Sequence, residues 1–191
     1  MANLQRALED LTSGDDLRAE AAVQRLSRQG PRTADTLASL LKSDQTDDRW
    51  WAARALAAME LPEATTYLLH AVDDPDESVR ECIIMGLGER HAPEAIGSII
   101  PLLASENMLM ARLAIDALVK IGGPAIPPLT EALQNSHPQV RSGAARALAT
   151  IADPHTIPAL MSVSEDDSAL VRYWVEQGLD KMGVTQVYFR P

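Results

Sequence analysis

Few residues in this 191-residue chain have side chains suited to proton, metal or nucleophile chemistry: His70, His91, His137, His155 and a single cysteine, Cys82. A metal site needs ligands at short helical spacing, and a hydrolytic site needs a nucleophile beside its base. The four histidines fall in different segments, and none is followed by Glu. HExxH, CxxC, GxSxG and Walker patterns are absent from the chain. His137 and His155 adjoin prolines, where a solvated turn histidine is expected. Cys82 lies in an amphipathic apolar run with nothing basic placed to activate it, so packing is its expected role. The acidic clusters Asp73-Asp74-Asp76-Glu77 and Glu165-Asp166-Asp167 read as solubilising edges. This inventory yields no catalytic, cofactor-binding or metal-ligating set.

A second group recurs. Arg49, Arg80, Arg141 and Arg172 each open an Ala- or Leu-rich amphipathic run. They are expected to pair with turn acids such as Asp47, Asp48, Asp76, Glu77, Asp166 and Asp167, complementing the helix ends. A phosphate-binding ladder is disfavoured by 27 acids against 17 bases, a net charge of -10 and a pI near 4.8. The aromatics also keep register: Trp50-Trp51 follow Arg49 as Tyr173-Trp174 follow Arg172. Helical period turns Trp51 and Trp174 inward and leaves Trp50 and Tyr173 outward, where exposed rings commonly anchor interfaces.

These residues are positioned by repetition. Arg18, Arg49, Arg80, Ala111, Arg141 and Arg172 are spaced by 31 residues, except for 30 between Ala111 and Arg141. The pairs Ala55-Leu56, Gly86-Leu87, Ala117-Leu118, Ala147-Leu148 and Gly178-Leu179 keep the same register. Each unit reads as helix, turn, helix. In one, Val140, Ala144, Ala147, Leu148 and Ile151 share a face, Asp153-Pro154 opens a second helix, and Ile157, Leu160 and Met161 form its stripe. The lost residue of the short interval falls near Gly122-Gly123-Pro124. The expected fold is therefore all-α: a solenoid of about six units in one domain over residues 1–191, starting near residues 18, 49, 80, 111, 141 and 172. Residues 3–11 read as a lone capping helix. The last first-helix, about Ser168 to Met182, leads into an extended apolar tail over 183–191.

Composition narrows the setting. Hydrophobic residues make up 46% and aromatics only 4%, so burial rests on many small aliphatic contacts. No stretch approaches the 18 apolar residues of a membrane span, and no signal peptide is read at the N-terminus. One cysteine fits a reducing, cytoplasmic location. Residues 1–95 carry 18 acids and 10 bases, against 9 and 7 over 96–191, so the C-terminal half is the favoured docking side.

The segments HAVDDPDESVRECIIMGLGERHAPEAIGSIIPLL (70–103) and EALQNSHPQVRSGAARALATIADPHTIPAL (131–160) carry an acidic or polar turn, Val-Arg, a small-residue helix and a Leu-rich second helix. This phrase resembles the HEAT repeats named after phycobilisome (PBS) lyases, over nearly the whole chain. The resemblance implies that second helices line a concave face. Their outward positions are Thr36 and Ser39, Tyr67 and His70, Ser98 and Pro101, Pro128 and Glu131, and Ala159 and Ser162, a small and nearly neutral stripe. Pro101 is expected to kink its helix. Trp50, Tyr67, His70, Pro101, Glu131, Tyr173, Tyr188 and Phe189 are thus the candidate protein-binding residues. Tyr188 and Phe189 either cover the unfinished last unit or bind a partner.

Two functions follow from this reading. The leading one is a non-enzymatic scaffold or adaptor that holds another protein, with no cofactor and no nucleic acid. The alternative, implied by the resemblance, is a phycobilin lyase subunit or chaperone-like factor acting on a bilin and a phycobiliprotein, with a companion lyase subunit as a second partner. A HEAT-type di-iron hydroxylase is disfavoured, since its His-Glu pairs are missing.

Overall fold

The structure, a computed structural model, describes residues 2–184. Among the described residues there are twelve α-helices, four short 3-10 segments and no strand. The chain divides into two compact units, residues 1–90 and 91–191. Residues 185–191 of the expected tail, with Tyr188 and Phe189, lie outside the described residues.

The first unit contains α1 (Ala2–Leu11), α2 (Asp16–Leu26), α3 (Pro31–Leu40), α4 (Thr46–Ala57), α5 (Pro62–His70) and α6 (Glu77–Glu89). First helices stack in sequence, α2 on α4 and α4 on α6, while α3 and α5 pack beside them and against each other. The N-terminal helix α1 lies against α2, the place expected of a lone second helix. Helix starts follow the local chemistry. Asp15 and Asp76 accept hydrogen bonds from the first-turn N–H groups of α2 and α6, and Pro31 and Pro62 occupy first positions where no N–H is required.

The second unit contains α7 (Ile96–Ile99), α8 (Met108–Ile121), α9 (Ile126–Ala132), α10 (Pro138–Ile151), α11 (Ile157–Met161) and α12 (Ala169–Lys181). Its second helices are short and each begins as a 3-10 turn, over Pro93–Ala95, Gly123–Ala125 and Pro154–Thr156. Pro101 acts as expected of a proline inside a helix. Lacking an N–H to bond back along the chain, it sits where α7 gives way to a 3-10 segment, Ile100–Ala104.

The short interval does not arise where it is expected, at Gly122-Gly123-Pro124. Pro93, Pro124 and Pro154 each lie 13 residues after Arg80, Ala111 and Arg141. The missing residue falls between Pro124 and Asn135, which are 11 apart where Pro93 and Ser105 are 12 apart. The Gly122 turn differs from the others in its conformation, not in its length. After α6 and α10 the chain passes one left-handed residue, His91 or Ala152, and then a separate N-cap, Ala92 or Asp153. After α8, Gly122 is both C-cap and N-cap, with φ 72° and ψ -128°. Only glycine takes that conformation readily, so two helix-end roles merge into one residue.

The turns carry a repeated hydrogen-bond code. Ser13, Ser43, Asp74, Ser105, Asn135 and Asp166, spaced 30 or 31 apart, each accept with a side-chain oxygen from the backbone N–H two residues on. Arg49, Arg80, Arg141 and Arg172 each donate from Nη1 to the carbonyl of the turn residue six positions back. Where the residue 25 positions ahead is Asp, the guanidinium also makes a two-pronged ion pair: Arg49 with Asp74 at 2.8 and 3.0 Å, Arg141 with Asp166 at 2.7 and 2.9 Å. Arg141 reaches Asp167 as well.

The expected acids are thus found for Arg141, met at longer range by Glu77 for Arg80, and corrected for Arg49 and Arg172. Arg49 pairs with buried Asp74 rather than Asp47, Asp48, Asp76 or Glu77. Arg80 has Ser105 at its forward position and comes only within 3.8 Å of Glu77. Arg172 rests on the carbonyls of Asp166 and Asp167. Arg90 uses no carboxylate either. Half-buried at the end of α6, it donates to Thr65 Oγ1 and to the carbonyls of Leu56, Ala57, Met59 and Leu61, closing the end of α4.

Small residues set how closely successive first helices approach. The register pairs, Ala55-Leu56 through Gly178-Leu179, are all buried. A Cβ built on Gly86 would lie 2.5 Å from Ala57 Cβ, and one on Gly178 would lie 2.9 Å from Ala149 Cβ. A Cβ on Gly97 meets nothing within 4 Å. Alanine gains roughly 1 kcal/mol over glycine in a helix, but forcing a methyl into a filled core costs about 1–3 kcal/mol. Gly86→Ala should therefore lower stability by about 1–2 kcal/mol, read as a lower urea midpoint, while Gly97→Ala leaves the midpoint unchanged or raises it. Equal midpoints for the two variants would contradict the close crossing.

Asp166 supplies a pH test. Hydrogen bonds from Arg141 hold its carboxyl below the usual range, at about 2. A depressed folded-state value means that its stabilisation is complete above the unfolded value of about 3.9 and is lost as pH falls through about 2. Urea midpoints should fall over that acid interval in the native sequence. Asp166→Asn should be less stable at neutral pH and show a shallower acid slope.

Candidate functional site

The outward positions of the second helices form surface in both units. In the first, Ser39 and His70 are exposed and Thr36 and Tyr67 half-buried. Tyr67 and His70 come together in a cleft of about 450 Å³ between α3 and α5, with Asp35, Ser39, Lys42 and Asp73 in its wall. The Tyr67 hydroxyl donates to Asp35 at 2.6 Å, crossing from one second helix to the next. That bond to a carboxylate, aided by burial, raises the hydroxyl pKa and keeps the phenol protonated. The cleft is a polar, mixed-charge recess around one fixed ring.

In the second unit Ser98, Pro101, Glu131 and Ser162 are exposed and Pro128 and Ala159 half-buried. Gln134 reaches Ser162 at 3.4 Å, linking adjacent second helices. The aromatic pairs lie on first helices. Tyr173 is 49% exposed and meets Trp174 edge to face at 5.0 Å, with the Arg146 guanidinium 5.2 Å from the Trp174 ring centre. Trp50 is half-buried rather than free, because Trp51 packs edge-on against it at 4.7 Å. Asp35 and Lys42 were not singled out by the outward positions. Asp35 lies one repeat plus one residue before Tyr67, the offset that a long phenol spans.

The histidines remain apart. His70 lines the cleft, His91 faces the Lys120 carbonyl, His137 caps α10, and His155 faces Asp153 at 2.8 Å. No group of three His, Cys, Asp or Glu side chains suited to a metal occurs among the described residues. No helix among them is long and apolar enough to cross a membrane.

Comparison with known proteins follows this geometry. A family model described as HEAT repeats matches residues 4–83, 68–138 and 125–180. A "Phycobilisome maturation protein" of Synechococcus elongatus is 32% identical over 122 residues, 62% of this chain and 58% of that protein. A "Phycocyanobilin lyase subunit beta" of Pseudanabaena tenuis is 32% identical over 125 residues, 64% of this chain and 44% of that one. The chain therefore spans about half the length of these relatives. Among solved structures, the complex of CpcE and CpcF of phycocyanin lyase from Nostoc sp. aligns with a TM-score of 0.56 and 22% identity, covering 94% of this chain and 77% of that one. That likeness is one of fold.

The cysteine completes the chemical inventory. Cys82 is buried on α6, and burial pushes its thiol up to about 12. At pH 8 a thiol-reactive reagent should label Cys82 in denaturant within the mixing time and leave it unmodified in the folded protein. Rapid labelling of folded protein would show that the thiolate is accessible after all.

Proposed function

The chain belongs to the HEAT-repeat family, and we propose that it serves phycobilisome assembly as a holding subunit in bilin attachment. It grips a phycobiliprotein, presents it to bilin and works beside a companion HEAT subunit. The observation that carries this reading is the 32% identity to the phycobilisome maturation protein over 122 residues, with the lyase subunit beta at the same level. Of the two functions left open by the sequence, these relatives support the phycobilin reading more than a general scaffold. The scaffold idea is retained as the mode of action.

The local chemistry supports holding rather than bond making. Cys82 is too buried and too weakly acidic to act as a nucleophile at neutral pH. The histidines do not share a site. What the surface offers is recognition: the Tyr67 ring, the His70 imidazole, the Lys42 ammonium and the Asp35 carboxylate around one cleft. Such a mixed wall suits the polar rim of a protein contact, with the ring as its anchor.

Mixing the protein with phycocyanobilin and apo-phycocyanin, with and without a companion lyase subunit, tests the proposal. A co-eluting complex with apo-phycocyanin and a faster rise of the bound-bilin visible band are expected. The double variant Tyr67→Ala/His70→Ala should weaken the complex by about tenfold or more, and His70→Ala alone should weaken it while leaving the urea midpoint near that of the native chain. Absence of both complex and band, alone and with the companion, overturns the reading.

A further inference from the structure

The first helices carry two clefts whose chemistry is opposite. In the first unit, the starts of α2, α4 and α6 enclose about 410 Å³ lined by Asp16, Asp47, Trp50, Trp51 and Ser78. Beside it Leu17 is 85% exposed. In the second unit, α8, α10 and α12 enclose about 260 Å³ whose wall includes Met108, Glu106, Arg112, Arg146, Leu170 and Trp174. Met108 is 86% and Leu170 54% exposed. The repeat register makes the contrast plain. The position two residues before each unit start holds Asp16, Asp47 and Ser78 in the first unit but Leu109, Gln139 and Leu170 in the second.

The charges in both clefts are available. Asp16 and Asp47 enter no ion pair among the described residues. Arg146 lies over the Trp174 ring, and Arg112 comes within 3.8 Å of Asp116 while remaining 67% exposed. One cleft therefore offers two carboxylates, two indoles and a protruding leucine. The other offers two guanidiniums against one carboxylate, Glu106, together with exposed aliphatic side chains, on a chain whose net charge is -10. We propose that the acidic aromatic cleft of the first unit pairs with the arginine-bearing apolar cleft of the second unit in another copy of this chain. Each copy supplies one cleft of each kind, so the contact joins unlike surfaces of two copies. Arg–carboxylate pairing steers and registers the contact, and the leucine, methionine and indole surfaces give it an apolar centre. This pairing stands independently of the phycobilin reading.

Sedimentation of the full chain at about 50 mM salt, over roughly 1–100 µM protein, reads the proposal directly. The native chain should show a concentration-dependent association that weakens with added salt. Asp16→Arg/Asp47→Arg and Arg112→Glu/Arg146→Glu should each lose at least about tenfold in self-affinity, since each variant then presents two clefts of one sign. Mixing the two variants places opposite charges across the contact between unlike variants, so mixed association should return. That return excludes misfolding as the reason for the single losses. A native chain that remains monomeric throughout overturns the proposal, as do unchanged association of the separate variants and failure of the mixture to pair.

Discussion

The turn arginine is the constraint on which the rest of the stack depends. A HEAT-like unit has one apolar stripe on each helix and cannot cover both alone, so it persists only when pressed against its neighbour. The arginine that begins a first helix fixes the angle of that pressing. One nitrogen holds the carbonyl of the preceding turn, and where an Asp lies 25 residues ahead the other two nitrogens grip the next turn. The same guanidinium thus joins the end of one unit to the end of the next. For Arg49 and Asp74 the pair is buried, where removal of one partner would leave an uncompensated charge at a cost of several kcal/mol.

Much of this was legible in the sequence because burial repeats with the chain. The 31-residue register, the capping helix before Arg18 and the small-residue pairs all follow from spacing and proline, whereas the short interval was misplaced, because it falls after Pro124 and not at Gly122. Partner choice was harder to see. Arg49 was expected to use an acid close in sequence, but a long side chain at a helix start faces across the stack, so Asp74 lies within reach and Asp47 and Asp48 do not. The decisive sign was present in the sequence: Ser43, Asp74, Ser105, Asn135 and Asp166 keep the register of the arginines. Read as a column, they distinguish turns able to form an ion pair from turns able only to accept an N–H.

The candidate site was legible to a similar degree. Period alone placed Tyr67 and His70 on the outward edge of α5, and they do share one recess. It did not reveal Asp35, because the residue that accepts from a tyrosine is set by the length of the phenol rather than by helical phase. Nor did it reveal that Trp50 is half-covered, since adjacent indoles satisfy each other before they meet solvent. Positions facing the core obey a rule common to all repeats. Surface positions are free to differ, and the specific chemistry of this chain is concentrated there.

Arg90 gives the chain a second kind of joint. Its positive charge is met by four peptide oxygens and one hydroxyl, with no counter-ion among them. Peptide dipoles cannot be protonated at any pH that a cell reaches, and being fixed in the backbone they are hardly displaced by dissolved ions. The closure at the end of α4 therefore has no group for acid to titrate, whereas the Arg141–Asp166 closure loses its carboxylate charge in strong acid, near pH 2. The same amino acid thus makes one joint that acid cannot reach and one that strong acid opens.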